Sequence, residues 1–133
     1  MDTAAIRAAL TDQIAALDLD QLERVCDAIE SSGHEAEFRV GLLRILEAHP
    51  EAEFGTPGAL VHTLERGFGS GYEAELMASL DRRPTWHTVW MLNRLINGTK
   101  GVERARYVER MSQLANEPAV DAAVRDRAVD FLT

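Results

Sequence analysis

The chain has 133 residues, of which 46% are hydrophobic and 27% charged, a composition that predicts a single folded domain, residues 1–133, and excludes a disordered protein. Its formal net charge of −8 argues against direct binding of nucleic acid or of an anionic membrane. Because Cys26 is the only cysteine, no disulfide can form within the chain.

The start of the chain does not resemble a secretion signal. Its second residue is acidic, and no basic stretch precedes a long apolar run. The chain also has no apolar segment of 18 residues, the minimum for a membrane-spanning helix. These features predict a cytoplasmic protein.

Apolar residues recur at helical spacing along nearly the whole chain, and no segment shows the strict alternation of a strand. The apolar positions of the predicted helices begin, in chain order, at Ile6, Leu19, Phe38, Leu60, Tyr72, Trp86, Val108 and Val120. The connections are short, which favours antiparallel neighbours. The predicted fold class is therefore all-α, with about eight short helices stacked as hairpins. Either a HEAT- or armadillo-like short solenoid or an irregular bundle fits, since the sequence shows no clean repeat period.

Negative charge is concentrated near the start of the chain. Residues 1–55 carry twelve Asp/Glu and four Arg, whereas residues 56–133 carry ten Asp/Glu and ten Lys/Arg. Within the predicted second helix, four carboxylates follow i, i+3, i+7, i+10 spacing and form one ridge. The ridge is either a solvated face or a surface for a basic partner. The acidic candidates for partner binding are Asp18, Asp20, Glu23, Asp27, Glu30, Glu35 and Glu37.

The stretch PTWHTVWMLNRLINGTKG, residues 84–101, predicts a mostly covered helix. Its core arc consists of Thr88, Val89, Met91, Leu92, Leu95 and Ile96. Beside this arc runs a stripe for which we predict a structural role, made of Trp86, Asn93 and Asn97. Trp90 lies at the boundary with a polar strip, where burial and recognition are both open. We count Trp90, His87 and Arg94 as candidates for partner binding.

No motif in the chain carries a recognisable catalytic or metal-binding pattern. The four histidines fall in four separate segments and none has a second His or a Cys at helical spacing, so we predict no metal. The glycines of GFGSGYE follow a helix and lack the Lys-Ser/Thr ending of a phosphate loop, which predicts a turn between helices. Cys26 falls on an apolar helical spacing typical of a buried thiol. We therefore expect a non-enzyme without a cofactor.

Two segments, FGTPGALVHTLE and GYEAELMASLDRRPTWHTVWMLNRLING, resemble a family of small all-helical bacterial immunity proteins that protect cells from polymorphic toxins, including those of contact-dependent growth inhibition. The likeness covers residues 54–99. It implies a protein without catalysis that binds one toxin domain, usually a nuclease or another enzyme acting in the cytoplasm. Because such families share a scaffold and vary the toxin-binding surface, the likeness transfers no contact residue.

The resemblance and the charge pattern predict an immunity protein that neutralises a cognate toxin domain by stoichiometric binding. Basic nuclease toxins suit an acidic antidote, because opposite charge speeds encounter. The expected partner is the toxin domain alone, with no nucleic acid or membrane, and we expect a monomer. One alternative is a helical-repeat adaptor in a bacterial complex. Another is a ligand-binding or enzymatic domain with a pocket formed by Trp86, Trp90, Asn93 and His87.

Overall fold

The computed structural model describes residues 1–133 and contains eight α-helices and no strand, which confirms the predicted all-α class. The helices are α1 (Thr3–Ala15), α2 (Leu19–Ser32), α3 (Glu35–Ala48), α4 (Ala59–Glu65), α5 (Tyr72–Arg82), α6 (Trp86–Asn97), α7 (Gly101–Ala115) and α8 (Ala122–Leu132).

Side chains cap the N-termini of α1, α2 and α6, whereas α3, α4, α7 and α8 begin without a side-chain cap. Asp2 accepts a hydrogen bond from the Ala5 backbone N–H at 2.8 Å and begins α1. Gly33 ends α2 with φ of +75°, a backbone conformation that glycine adopts without steric cost. α4 begins at Ala59, directly after Gly58.

The chain divides into two compact units, Met1–Ser79 and Leu80–Thr133, and the boundary falls within α5. The single domain expected from the length stays a prediction. The two units differ more in net charge than residues 1–55 differ from residues 56–133. The first unit holds fifteen Asp/Glu and five Arg, a balance of −10, whereas the second holds seven Asp/Glu and nine Lys/Arg, a balance of +2.

In the first unit each helix packs against its near neighbours in the chain. α1 contacts α2 and α3, while α2 contacts α3 and α4. Contacts with the next helix and with the one after it are typical of stacked helical hairpins. The core of this unit is apolar and includes Ile6, Val25, Cys26, Ile29, Phe38, Leu42, Leu46, Leu64 and Leu76.

In the second unit the three helices α6, α7 and α8 all contact one another. A capping box begins α6: Thr85 accepts from the Thr88 backbone N–H at 3.1 Å, and the Thr88 hydroxyl accepts from the Thr85 backbone N–H at 2.9 Å. Both threonines are fully buried. The first turn of α6 is therefore part of the core of this unit.

Candidate protein-binding surfaces

The seven acidic residues predicted to bind a partner have three different structural situations. Asp18 is the N-cap of α2, and its carboxylate accepts hydrogen bonds from the backbone N–H groups of Asp20 and Gln21 at 3.1 and 3.2 Å. A capping carboxylate also complements the positive end of the helix dipole. Asp18 therefore has a structural task that the sequence interpretation did not assign to it.

Three other carboxylates are occupied by partners within the chain. Glu30 accepts a hydrogen bond from the Thr63 hydroxyl at 2.7 Å and lies 3.4 Å from the Arg66 guanidinium. The same guanidinium binds Glu35 through two nitrogens, both at 3.2 Å. Glu37 pairs with Arg7 at 3.1 Å. These ion pairs neutralise the end of the predicted ridge and the turn that follows it.

The remaining three carboxylates, Asp20, Glu23 and Asp27, are exposed and form no ion pair. They lie on α2 at i, i+3 and i+7, so they share one side of the helix. Arg24 is exposed on the same helix and pairs with none of them. The acidic ridge is thus shorter than predicted. From here on, "acidic ridge" means Asp20, Glu23 and Asp27.

A cleft of about 220 Å³ continues the acidic ridge at the start of α2. Its apolar lining includes Leu19, Leu22, Phe54, Ala59 and Leu60. Glu23 and Glu53 lie at the same cleft and supply carboxylates. Leu19 is half exposed. Apolar walls with carboxylates suit the aliphatic stem and charged end of a lysine or arginine side chain.

Beneath the ridge, Cys26 is fully buried in α2. The pKa of its thiol is raised to about 11, mainly by burial. A hydrogen bond with Thr63 lowers this pKa, and the negative charges of Glu30, Asp27 and Glu23 raise it. A thiol with this pKa remains protonated at neutral pH and is a poor nucleophile. The predicted buried, reduced cysteine is confirmed as to its burial.

The core arc predicted for α6 is confirmed, since all six of its members are buried. The neighbouring stripe differs from the expectation. Trp86 is 40% exposed, Asn97 is exposed, and Asn93 and Trp90 are half-buried. The expected covering of Trp86 and Asn97 is therefore wrong. Trp86 lies about 180° around the helix from the buried Leu95, which places it on the solvent side.

His87 also differs from the prediction, because it was assigned to an exposed polar strip and is only 6% exposed. His87 belongs to the buried first turn of α6. It lies about 40° around the helix from Met91, which is also buried. Its ring meets the Trp86 ring edge-on with a centroid distance of 5.6 Å. His87 is therefore not available as a partner contact. A pocket formed by His87 together with Trp86, Trp90 and Asn93 is not supported, because His87 belongs to the core and the other three lie towards solvent.

Cations and aromatic rings alternate on the solvent side of α6 and α8. The Arg94 guanidinium lies 5.1 Å from the centre of the Trp90 ring. The Arg127 guanidinium lies 3.4 Å from the centre of the Trp86 ring and 4.7 Å from that of Phe131. All three distances are within the range of cation–π attraction. These five residues are called the cation–aromatic face below, and only Trp90 and Arg94 among them were predicted to bind a partner.

The turn after α4 presents one further exposed aromatic residue that the sequence interpretation missed. Phe68 is 49% exposed within the 67–71 turn. The buried Arg39 donates to the Ser70 carbonyl at 3.0 Å, and Glu73 accepts from the Gly69 backbone N–H at 2.8 Å. A Cβ at Gly67 would lie 2.7 Å from the Arg39 Nε, so this glycine allows the guanidinium to approach the backbone. GFGSG is thus a turn, as predicted, and the arginine that holds it lies 28 residues before it.

Comparison with protein-family models, curated proteins and solved structures finds no match for this chain. None of the helices is both long and apolar enough to cross a membrane. No group of three or more His, Cys, Asp or Glu side chains is arranged to hold a metal ion. The acidic ridge with its cleft and the cation–aromatic face are the two candidate binding surfaces of this protein.

Proposed function

We propose that this protein is an immunity protein that neutralises a basic toxin domain by stoichiometric binding, and that the partner docks on the acidic ridge and the adjoining cleft. The observation that carries the proposal is the contrast between paired and unpaired carboxylates. Glu30, Glu35 and Glu37 have cations within the chain, whereas the acidic ridge has none. Three like charges on one side of a helix repel one another, a cost that a basic partner removes on binding.

The cleft adds the apolar contact that charge alone does not provide. Long-range attraction mainly raises the association rate, whereas slow dissociation needs a desolvated anchor. Leu19 and Phe54 line such an anchor site beside the Glu23 carboxylate. The resemblance of residues 54–99 to immunity proteins is what makes a toxin domain the proposed partner, whereas the docking residues are chosen from the unpaired charges and the lining of the cleft.

The test is calorimetric titration with the purified C-terminal domain of the protein encoded immediately upstream, at 50 mM and 300 mM NaCl. We expect one-to-one binding that weakens at the higher salt. The triple variant D20K/E23K/D27K should bind about 100-fold more weakly. A matched variant, E51K/E103K/E109K, changes the net charge equally at other exposed positions and should keep most of the affinity.

Circular dichroism and thermal unfolding of both triple variants would establish that each is folded. Equal affinity of the two variants would exclude the ridge as the docking surface. Absence of binding by the unmodified protein at both salt concentrations would remove the proposed toxin partner.

A helical adaptor is a second candidate, favoured by the presence of two surfaces with opposite charge in one small chain. An adaptor holds two partners at once, and the acidic ridge and the cation–aromatic face suit different ones. The adaptor requires a stable partner that is not a toxin, whereas an immunity protein must abolish the toxin's activity. Measuring the activity of the upstream domain with and without one equivalent of this protein separates the two functions.

A further inference from the structure

The second unit contains an arginine whose surroundings are unusual. Arg127 is half-buried between the rings of Trp86 and Phe131. Its Nε is shielded from water and has no hydrogen-bond acceptor, and its guanidinium forms no ion pair. Burial lowers the pKa of this guanidinium, while the charge of the nearby Asp130 acts in the opposite direction. The protein thus keeps a partly desolvated cation without supplying the acceptor that such a group normally has.

The aromatic rings determine how this cation can be used. A guanidinium stacked on a ring has its plane and position held by that ring, and its N–H groups point outward along the edge. This edge matches the two oxygens of a carboxylate, which it can bind through two parallel hydrogen bonds. Because the side chain is already held, less conformational entropy is lost when a ligand binds. The arrangement favours an oxyanion rather than a ring-shaped ligand, since Arg127 already covers one face of Trp86.

We propose that the cation–aromatic face is a docking surface for an acidic peptide segment of a protein partner, with a carboxylate of that segment bound to Arg127. Asn93, half-buried on α6 beside the tryptophans, and the exposed Asn97 supply amides of the type that pairs with a peptide backbone. Arg94, whose guanidinium lies over the Trp90 ring, provides a second cation on α6. This surface is separate from the acidic ridge and does not depend on the proposed toxin partner.

Charge favours a peptide over nucleic acid as the occupant. The unit that carries this face has a balance of only +2, and the whole chain has −8. A nucleic acid brings one negative charge per nucleotide, which a chain of this charge repels over a long stretch. A short segment with one or two carboxylates meets only the two local cations. The surface therefore fits an acidic peptide in which apolar residues contact Trp86 and Phe131.

Peptide selection on the full chain tests the assignment. Random 12-residue peptides displayed on phage would be selected on the unmodified protein and counter-selected on the R127M variant. We expect the surviving peptides to be enriched in Asp and Glu together with aromatic or aliphatic residues. Basic peptides that bind the acidic ridge would be removed, because they also bind R127M, so failure of one surface is distinguishable from failure of the other.

Intrinsic fluorescence measures the binding of the selected peptide directly, because the only two tryptophans of the chain, Trp86 and Trp90, belong to this face. We expect a saturable emission change that is lost when the peptide carboxylates are replaced by amides. R127M should weaken binding at least about 10-fold, and R127K, which keeps the charge but not the planar fork, should weaken it less. R104M, at an exposed position on α7, is the matched control and should bind like the unmodified protein. Thermal unfolding of each variant would confirm that it is folded.

Several outcomes would overturn the proposal. These are selected peptides without acidic enrichment, no peptide that survives the counter-selection on R127M, or no fluorescence response. A larger response to oligodeoxythymidylate than to the acidic peptide would assign the face to a phosphodiester instead. Sedimentation that shows a dimer broken by R127M would assign it to a second copy of this chain.

Discussion

The two units differ in how their arginines are held, although Arg7 of the first unit, besides its ion pair, also lies 5.2 Å from the centre of the Phe38 ring. In the first unit, four of the five arginines lie within 4 Å of a carboxylate; they are Arg7, Arg39, Arg44 and Arg66. In the second unit, Arg94 and Arg127 lie on aromatic rings, although Arg110 does pair with Asp81 at 2.9 Å. The difference follows the supply of carboxylates, fifteen in one unit and seven in the other. A unit with excess carboxylates leaves anions unpaired, whereas a unit with excess arginines leaves cations unpaired.

This comparison explains why one small chain carries two surfaces of opposite charge. The acidic ridge is a group of carboxylates left without an ion pair in the first unit, and Arg127 is one of the cations left without an ion pair in the second. An ion pair within the chain affects the free energy of unfolding most where it is withdrawn from water. We therefore expect replacement of the most buried arginine to have the largest effect on stability.

The largest effect is expected from Arg39. Its side chain is only 9% exposed, donates to the Ser70 carbonyl at 3.0 Å and lies 3.7 Å from Glu75. Replacement by methionine leaves the Ser70 carbonyl without its donor and the partly buried Glu75 carboxylate without its nearby cation, which should lower the free energy of unfolding by about 3 kcal/mol. Urea unfolding measures this change. The matched control R24M removes an exposed, unpaired arginine and should change stability by less than about 0.5 kcal/mol. A similar small loss in R39M would show that the buried contacts contribute little.

A pH-dependent effect of intermediate size is expected from Cys26, whose pKa is about 11 in the folded chain against 9.0 for an unperturbed thiol. Between these two pH values the folded chain retains a proton that the unfolded chain loses. The corresponding stability is complete below about pH 9 and is lost as the pH rises through 11, by on the order of 2 kcal/mol. Urea unfolding of the unmodified protein and of C26A at pH 8 and pH 11 isolates this contribution. Parallel pH profiles for the two proteins would contradict it.

The negative charge of the ridge contributes to that shift. The variant E23Q/D27N removes two of the charges that raise the Cys26 pKa, so the stability lost between pH 9 and pH 11 should be smaller than in the unmodified protein. An unchanged profile in this variant would mean that burial alone raises the pKa.

The smallest effects are expected for two arginine contacts, one with an aromatic ring and one with a carboxylate. Double-mutant cycles measure the coupling energy of each contact. The coupling between Arg127 and Trp86 should be about 1 kcal/mol and should change little between 0.05 and 1 M NaCl, because the guanidinium is partly desolvated against the ring. The exposed Arg7–Glu37 pair, with side chains 61% and 47% exposed, should couple by at most about 0.5 kcal/mol and lose this coupling in high salt. Urea unfolding of the single and double variants provides both values. Equal salt dependence of the two couplings would remove the distinction between the units.

The α6 face shows where helical spacing succeeds and where it fails. The six apolar core positions were predictable, because the 3.6-residue period alone places them on one arc. The positions of Trp86 and His87 were not, because tryptophan and histidine occur both in cores and at surfaces. His87 belongs to the first turn of α6, which is buried in the core of its unit, and the Arg127 side chain on α8 lies over the Trp86 ring. Neither influence is visible in the spacing of α6 itself.

The sequence by itself determined the all-α class and the core arcs, because these depend on apolar periodicity within a few residues. It also determined that negative charge gathers on α2 and near the start of the chain. Only the tertiary structure decided which charges remain available. Arg66 reaches back to Glu30 and Glu35, and Arg127 stacks on a ring 41 positions earlier. Charge pairing is a matter of a few ångströms in space, and the order of residues along a chain does not specify those distances.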